Sequence, residues 1–412
     1  MTEGSRNKIP LFFFVLGFWL LAAPATFGCK LSLMCFSDYI SGILLCVLGL
    51  LAYKTALRSL YVVGVFIGIW LQMAPLLFWA KEPSFYVSDT LIGFLVITLS
   101  NFLLGFFKEE KEEESNPPGW SFNPSAWSPR IVTIFLAMVC WFLSRYLASY
   151  QLGYIHEVYD PFFQGGTEKV ITSSVSKLFP VPDAGLGAFV YFLEFLLGWM
   201  GGFLRWRKMP WLTIFFGAMV VPAGMVSILL IASQPVFVGA WCGICLVIAF
   251  CMLIMILLTA PEVVATVELL VFVKKNNKNF WKVFWSGINK SELPEKPACY
   301  KSGFFASLGL SFPWNLLLSA CIGIWLMSSS ALLGIARPGA DSLYIVGPLL
   351  FAFSVISLSK CIRFIRFLNL PLAVVLFSAP LWMDGFSVFG TINNVFIGIV
   401  IFLLCFKKEK SP

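Results

Sequence analysis

Two cysteines separated by two residues are the feature of this sequence best suited to chemistry. Cys242 and Cys245 stand in the segment Trp-Cys-Gly-Ile-Cys, at the head of a long apolar run. Thiols one helical turn apart can form a disulfide, and a helix N-terminus favours the thiolate that performs disulfide exchange. A zinc site would need a second pair of ligands at metal-binding spacing, and the only histidine is His156. We therefore predict a redox-active pair and no metal.

The elements that must position this pair are membrane helices. A composition of 59% hydrophobic and 12% charged residues, with a mean hydropathy of +0.87, excludes a solvated globular surface. Crossing about 30 Å of hydrocarbon takes roughly twenty apolar residues. Twelve such runs lie near 10–27, 38–53, 59–79, 89–107, 130–149, 184–204, 210–232, 237–259, 312–334, 343–359, 367–383 and 392–406. The predicted fold class is all-α: a polytopic membrane protein with about twelve transmembrane helices, the second, tenth and eleventh short.

Most basic residues in the loops fall on one side of this threading, and the positive-inside rule makes that side cytoplasmic. They are Arg6, Lys8, Lys54, Arg58, Lys108, Lys111, Arg205, Arg207, Lys208, Lys274, Lys275, Lys278, Lys282, Lys360, Arg363, Arg366, Lys407, Lys408 and Lys410. We expect a bacterial inner (cytoplasmic) membrane, both termini inside, and Cys242 near the outer face, where disulfides persist. Contacts with anionic membrane lipid explain the net charge of +8, so no nucleic-acid partner is expected.

Internal repeats flank a different centre. The stretch 17–24 leads to Asp38 and Gly42, and 68–75 leads to Asp89 and Gly93 at identical spacing. Looser copies at 323–327 and 375–380 lead to Asp341 with Gly347 and to Asn394 with Gly398. Each unit predicts a helical hairpin in which a proline ends the first helix, the Asp or Asn caps the second, and the glycine allows close helix contact.

These repeats resemble the SPW-repeat membrane module, with Ser-Phe-Pro-Trp-Asn at 311–315 standing where that family has its signature. Such modules carry no assigned chemistry, so Trp19, Trp70 and Trp325 are interpreted as packing or interfacial anchors. The predicted domains are an SPW-like repeat pair (1–107), a cytoplasmic linker (108–129), a central four-helix domain (130–260), an interfacial or cytoplasmic segment (261–307) and a second SPW-like pair (308–412).

The centre resembles the vitamin K epoxide reductase family of quinone-coupled thiol oxidoreductases. Three segments carry the resemblance: 168–174, 179–183 with Gly187, and 241–246 around the cysteines. In that family a four-helix bundle holds a quinone beside a Cys-x-x-Cys under an outer loop. The resemblance implies a thiol:quinone oxidoreductase that passes electrons from dithiols outside the cytoplasm to a quinone of ubiquinone or menaquinone type and supports disulfide formation.

The resemblance also implies roles for individual residues. Cys245 would contact the quinone, and Cys242 would exchange with the incoming dithiol. Asp183 would either hydrogen-bond a quinone oxygen or cap a helix. Ser173 and Ser174 would likewise either lie near the quinone pocket or cap a helix. A lid would contain Tyr159, Asp160, Phe162 and Phe163, and His156 would either protonate the reduced quinone or lie on the surface.

Two departures leave alternatives open. The family's loop cysteine pair is absent from 151–183, and Ala249 stands where relatives commonly place a tyrosine, so epoxide is not claimed as a substrate. Cys29 and Cys35, the remaining outer cysteines, are an electron relay or else a structural disulfide or free thiols; otherwise the thiol donor is a separate protein, such as a thioredoxin-like one. The alternative functions are a structural or assembly protein with a degenerate redox centre, and a transporter with Glu194 as its mid-membrane acid.

Overall fold

The computed structural model describes residues 9–29, 32–55, 57–105, 116–294 and 308–407, and these contain helices but no strands. The predicted all-α class is confirmed. The long helices are α1 (Pro10–Thr26), α2 (Leu33–Thr55), α3 (Leu60–Leu77), α4 (Pro83–Leu104), α5 (Trp127–Gln151), α6 (Asp183–Trp199), α7 (Pro210–Ser233), α8 (Gly243–Lys275), α9 (Trp314–Leu332), α10 (Gly339–Ile356), α11 (Asn369–Trp382) and α12 (Val388–Phe406).

Short helical segments connect these helices at several points. Three are α-helices, at Gly166–Ile171, Arg205–Lys208 and Phe280–Ser286. Three are 3-10 helices, at Val175–Lys177, Lys290–Glu292 and Lys360–Leu368, and Gln234–Val238 is a π-helix that extends α7.

Each of the twelve predicted runs lies on one of the long helices, and the chain is an integral membrane protein. In the described part of the chain, ten segments are long and apolar enough to cross a membrane, while α1 and α6 have 17 residues each. The expectation of a short second span is wrong, because α2 has 23 residues and continues beyond its apolar run. Helix α10 has 18 residues and α11 has 14, and the 3-10 segment Lys360–Leu368 lengthens the eleventh span to 23. The orientation stays a prediction, and Arg6, Lys8, Lys108, Lys111, Lys408 and Lys410 lie outside the described residues.

The repeats form helical hairpins, as predicted. Helix α1 packs along α2, α3 along α4, α9 along α10 and α11 along α12. A Cβ atom added at Gly17 would lie 2.6 Å from the carbonyl oxygen of Gly42, and one at Gly323 would lie 2.8 Å from that of Gly347. Any larger side chain would therefore push these helices apart, which is the predicted role of the glycines.

The predicted capping role is wrong for Asp38, Asp89 and Asn394, whereas Asp341 lies in the first turn of α10. Helices α2, α4 and α12 begin at Leu33, Pro83 and Val388, so Asp38 lies five residues beyond a helix start, and Asp89 and Asn394 lie six beyond theirs. The backbone amides at such positions already bond to carbonyl groups one turn earlier, so there is nothing for a cap to satisfy. These side chains point into the packed interior instead, where all three are buried.

The chain divides into two compact units. The first comprises Met1–Glu109, Trp141–Val158 and Ser174–Leu196, and the second comprises Glu110–Cys140, Tyr159–Ser173 and Leu197–Pro412. The interior of the first includes Phe13, Leu20, Leu45, Leu71 and Val96. In the second, α7 packs along α8, and both contact α10.

Helix α8 runs through the predicted domain boundary at Ala260. It has 33 residues and ends at Lys275, so the stretch from Glu262 to Lys275 continues the helix instead of lying along the interface as expected. Glu262 is buried beside Arg205, with which it forms an ion pair, and it also accepts a hydrogen bond from the Ser125 hydroxyl. A carboxylate neutralised in this way can stay inside the helix packing.

Candidate redox site

Cys242 and Cys245 form a disulfide at the N-terminus of α8. Cys242 is the N-cap residue, and its Sγ accepts a hydrogen bond from the backbone amide of Cys245 at 3.1 Å. The two Cα atoms are 5.2 Å apart. The side chain of Cys242 is fully buried, whereas that of Cys245 is half-buried. After reduction, the amide groups and the positive end of the helix dipole would stabilise a thiolate at Cys242.

Two side chains from other segments hold the backbone of the cysteine motif. The amide of Cys242 donates to Oε1 of Gln234 at 2.9 Å, and the amide of Gly243 donates to Oδ2 of Asp160 at 3.0 Å. Gln234 is buried at the end of α7, and a left-handed turn at Gly239 (φ 68°) brings the chain back toward α8. The sequence did not single out Gln234; the available signal is a glutamine, followed by a proline, at the end of an apolar run.

Asp160 also organises the loop that covers the motif. Its Oδ1 accepts hydrogen bonds from the amides of Phe162 at 2.9 Å and Phe163 at 3.1 Å, and its Oδ2 accepts one from the Thr167 hydroxyl. Burial raises the pKa of Asp160, but the hydrogen bonds from Thr167, Phe162, Phe163 and Gly243 outweigh burial and hold the pKa below its usual value. Asp160 is therefore an ionised carboxylate beside the start of α8.

Glycines allow the covering segment, residues 160–167, to lie directly on the cysteine motif. A Cβ atom at Gly243 would lie 2.5 Å from Oδ1 of Asp160 and 3.0 Å from the ring of Phe162. One at Gly166 would lie 2.3 Å from the carbonyl oxygen of Trp241. Phe162 and Phe163 thus belong to the segment over the motif, and both rings keep exposed surface.

Ser173 and Ser174, the two serines predicted near the quinone, lie at the ends of short helices. The hydroxyl of Ser173 donates to the carbonyl of Val170 at 2.6 Å, at the end of Gly166–Ile171. Ser174 is exposed, immediately before Val175–Lys177. The helix-end interpretation accounts for the position of Ser173, and a quinone contact stays a prediction for both residues.

Asp183 and His156 lie in the first unit. Asp183 is the first residue of α6, where its Oδ1 accepts hydrogen bonds from the amide of Ala184 at 2.8 Å and from the side chain of Gln151. These bonds match the helix-start interpretation. His156 is exposed in the loop after α5. Roles for both residues at a quinone stay predictions.

Cys29 and Cys35 are joined by a disulfide, with Cα atoms 6.6 Å apart, which ties the end of α1 to the start of α2 within the first unit. Neither cysteine is therefore a free thiol in this structure. The electron relay stays a prediction. The other described cysteines form no disulfide: Cys46, Cys140, Cys251, Cys321, Cys361 and Cys405. Cys299 lies outside the described residues.

A Cys-x-x-Cys disulfide at the head of a membrane helix, closed over by a preceding loop, is the arrangement that the resemblance implied. Residues 131–260 match the vitamin K epoxide reductase family. The match to this family runs from α5 into α8 and supports oxidoreductase activity in the membrane. Residues 10–103 match the SPW repeat domain. Searches of curated proteins and of solved structures gave no significant match.

Proposed function

We propose that the protein is a membrane thiol:quinone oxidoreductase. It takes electrons from dithiols outside the cytoplasm and passes them through Cys242 and Cys245 to a membrane quinone, which supports disulfide formation. The observation that carries this proposal is the Cys242–Cys245 disulfide at the N-terminus of α8, inside the region that matches the vitamin K epoxide reductase family.

Reduction of the pair follows ordinary thiol–disulfide exchange. A thiolate of the donor attacks one sulfur of the Cys242–Cys245 disulfide, and the second donor thiol then breaks the mixed disulfide. The donor leaves as a disulfide, and both cysteines become thiols. Re-forming the Cys242–Cys245 bond releases two electrons and two protons, which a bound quinone accepts to become a quinol.

The residues around the pair fit a quinone. Cys245 keeps accessible surface, and the segment lying over the motif presents the exposed aromatic rings of Phe162 and Phe163. Flat apolar rings are suitable neighbours for a quinone head group. This arrangement supports Cys245 as the cysteine that faces the quinone.

Cys242 is assigned to exchange with the thiol donor, and its burial sets a condition on that step. Its side chain has no exposed surface, and residues 160–167 cover the adjoining backbone. A donor thiolate needs a straight approach to the sulfur that it attacks. The covering segment must therefore move away before exchange at Cys242 can occur.

Turnover of the purified protein tests the proposal. With dithiothreitol as donor and a soluble ubiquinone or menaquinone analogue as acceptor, we expect quinone reduction by the wild type and its loss in both Cys242→Ala and Cys245→Ala. Cys321→Ala is the matched control, because Cys321 is a free, exposed cysteine on α9. No turnover in the wild type would contradict the proposal and favour a structural protein with a degenerate redox centre.

A further inference from the structure

Two carboxyl groups are buried inside the hairpins of the first unit, and the proposed thiol chemistry at Cys242 and Cys245 does not use them. Asp38 on α2 and Asp89 on α4 each have 0% of their surface exposed. Among the described residues, no group other than these two carboxyl groups themselves donates a hydrogen bond to any of their four oxygens. Their side chains interact with each other instead.

A pair of carboxyl groups in contact requires a proton. Two ionised carboxylates offer only acceptors, so they cannot hydrogen-bond to each other, and two like charges in a medium of low dielectric constant repel strongly. A proton on one member supplies the missing donor and removes one charge. At least one proton must therefore reside between Asp38 and Asp89.

Within the described residues of α1 to α4, no cation lies near the pair to take the place of this proton. In the described residues of α1 to α4, the charged side chains are Asp38, Asp89 and Lys54. Lys54 is sixteen residues beyond Asp38 on α2, or about 24 Å away at 1.5 Å per residue. Arg145 stacks on the ring of Tyr86 at 4.2 Å and does not act on either carboxyl group.

Reciprocal hydrogen bonds between the hairpins hold the two acids in place. The indole of Trp19 donates to the hydroxyl of Ser88 at 3.0 Å, and the indole of Trp70 donates to the hydroxyl of Ser37 at 2.8 Å. Each serine directly precedes one of the aspartates. The twofold pattern of the repeat thus fixes Asp38 and Asp89 in equivalent positions on facing hairpins.

The second repeat module shows that the packing does not require the acids. Asp38 and Asp89 stand four residues before Gly42 and Gly93, and the residues four before Gly347 and Gly398 are Leu343 and Asn394. Both of these are also fully buried. The tryptophan contact persists as well, since Trp325 donates to Asn393 at 3.1 Å. The same hairpins therefore pack with a leucine and an asparagine, and the carboxyl pair needs another explanation.

We propose that Asp38 and Asp89 form a proton-binding site inside the membrane. The pair carries at least one proton, which the two carboxyl groups share. Buried acids in membrane helices commonly serve proton transfer, because a proton is the ligand that removes their charge. The assignment is independent of the thiol chemistry at Cys242 and Cys245.

Infrared spectroscopy of the full-length protein tests the site through the carbonyl stretch of protonated carboxyl groups. Glu194 is a second buried acid without a hydrogen-bond partner, so the measurement starts from Glu194→Gln. We expect a carboxylic-acid band at neutral pH that shifts in deuterium oxide and disappears when Asp38→Asn and Asp89→Asn are added. The control is Asp341→Asn, because Asp341 is ion-paired with Arg337, and it should leave the band unchanged.

Two outcomes would overturn the proposal. The first is a spectrum that the double substitution at Asp38 and Asp89 does not alter. The second is a band that disappears when sodium chloride replaces choline chloride at constant pH, which would indicate a metal-cation site. The double variant should fold, because asparagine already occupies the equivalent position 394. If it does not fold, the pair is left unsubstituted and the protein is labelled with carboxyl-13C aspartate instead. A band in Glu194→Gln that does not shift with this label would also contradict the site.

Discussion

Asp160 and Gln234 are the residues on which the geometry of the redox motif depends. They accept the amide hydrogens of Gly243 and Cys242, the two positions where the chain enters α8. The carboxylate of Asp160 receives four hydrogen bonds in all, so it joins the covering segment to the motif as well as orienting the backbone. Loss of an acceptor here would leave buried amides unpaired, which is costly.

Replacing Asp160 by asparagine should destabilise the protein in a pH-dependent way. The neutral amide accepts hydrogen bonds through one atom only, and we expect a loss of about 2 kcal/mol in the free energy of unfolding at pH 7. The pKa of Asp160 is lowered in the folded protein, so its stabilising contribution is complete above the ordinary carboxyl pKa of about 4 and is lost as the pH falls through the lowered value.

Thermal unfolding of the detergent-solubilised wild type and Asp160→Asn between pH 7 and pH 3 measures this difference, which should shrink toward the acid end. The control is Asp384→Asn, since Asp384 is an exposed loop aspartate. A difference between wild type and Asp160→Asn that stays constant over the whole range would show that the charge of Asp160 is not what stabilises the site.

At the scale of elements, the site consists of one helix start covered by one loop segment. Their close approach requires glycine at 243 and 166, where a Cβ atom would strike Asp160 and Trp241. The sequence predicted α7 and the position of the cysteine motif closely, because long apolar runs and a Cys-x-x-Cys are local signals. It did not predict the contact of Gln234 with Cys242, which is 8 positions away, or that of Asp160 with Gly243, which is 83 positions away.

The end of α8 was mispredicted for a similar reason. Pro261 and Glu262 suggest the end of a span when they are read locally. Glu262 is tolerated inside the helix packing because Arg205, 57 residues earlier, neutralises it. No local pattern in the sequence announces that partner.

Gly243→Ala should separate the covering segment from the motif. The added methyl group would lie 2.5 Å from Asp160, so residues 160–167 must shift outward and uncover the buried Cys242. We expect faster alkylation of Cys242 by a maleimide after reduction, measured by mass spectrometry. Gly187→Ala is the control, because a Cβ atom there makes ordinary contacts at 3.5 Å and beyond. Equal alkylation of Cys242 in both variants and the wild type would argue against the covering role.

At the scale of the whole molecule, a redox region is accompanied by two hairpin modules of the same design. The glycine contacts and one of the two tryptophan hydrogen bonds recur in the second module, whereas the buried acids Asp38 and Asp89 belong to the first. The repeat and its glycines were predictable from spacing. The burial of the acids was not, because the start of a helix in a continuous apolar run is poorly marked and a cap was the simpler interpretation.

The Cys29–Cys35 disulfide has a predicted role at this scale, as a relay between a protein donor and the redox pair. Dithiothreitol is small enough to reduce Cys242–Cys245 directly, so Cys29→Ser with Cys35→Ser should keep full turnover with that donor. With a thioredoxin-like protein as donor, the relay predicts a drop in the rate of quinone reduction by the same variant. Equal rates with the protein donor would mean that the disulfide is structural.

A single-turnover experiment tests the central claim most directly. The purified variant with Cys29→Ser and Cys35→Ser, which lacks the second dithiol, is reduced, separated from the reductant under anaerobic conditions and mixed with a quinone analogue. Quinol is then quantified, and the cysteines are mapped by mass spectrometry. Our account predicts one quinol for each Cys242–Cys245 disulfide formed. Quinol without that disulfide, or both thiols remaining reduced beside unreacted quinone, would contradict it.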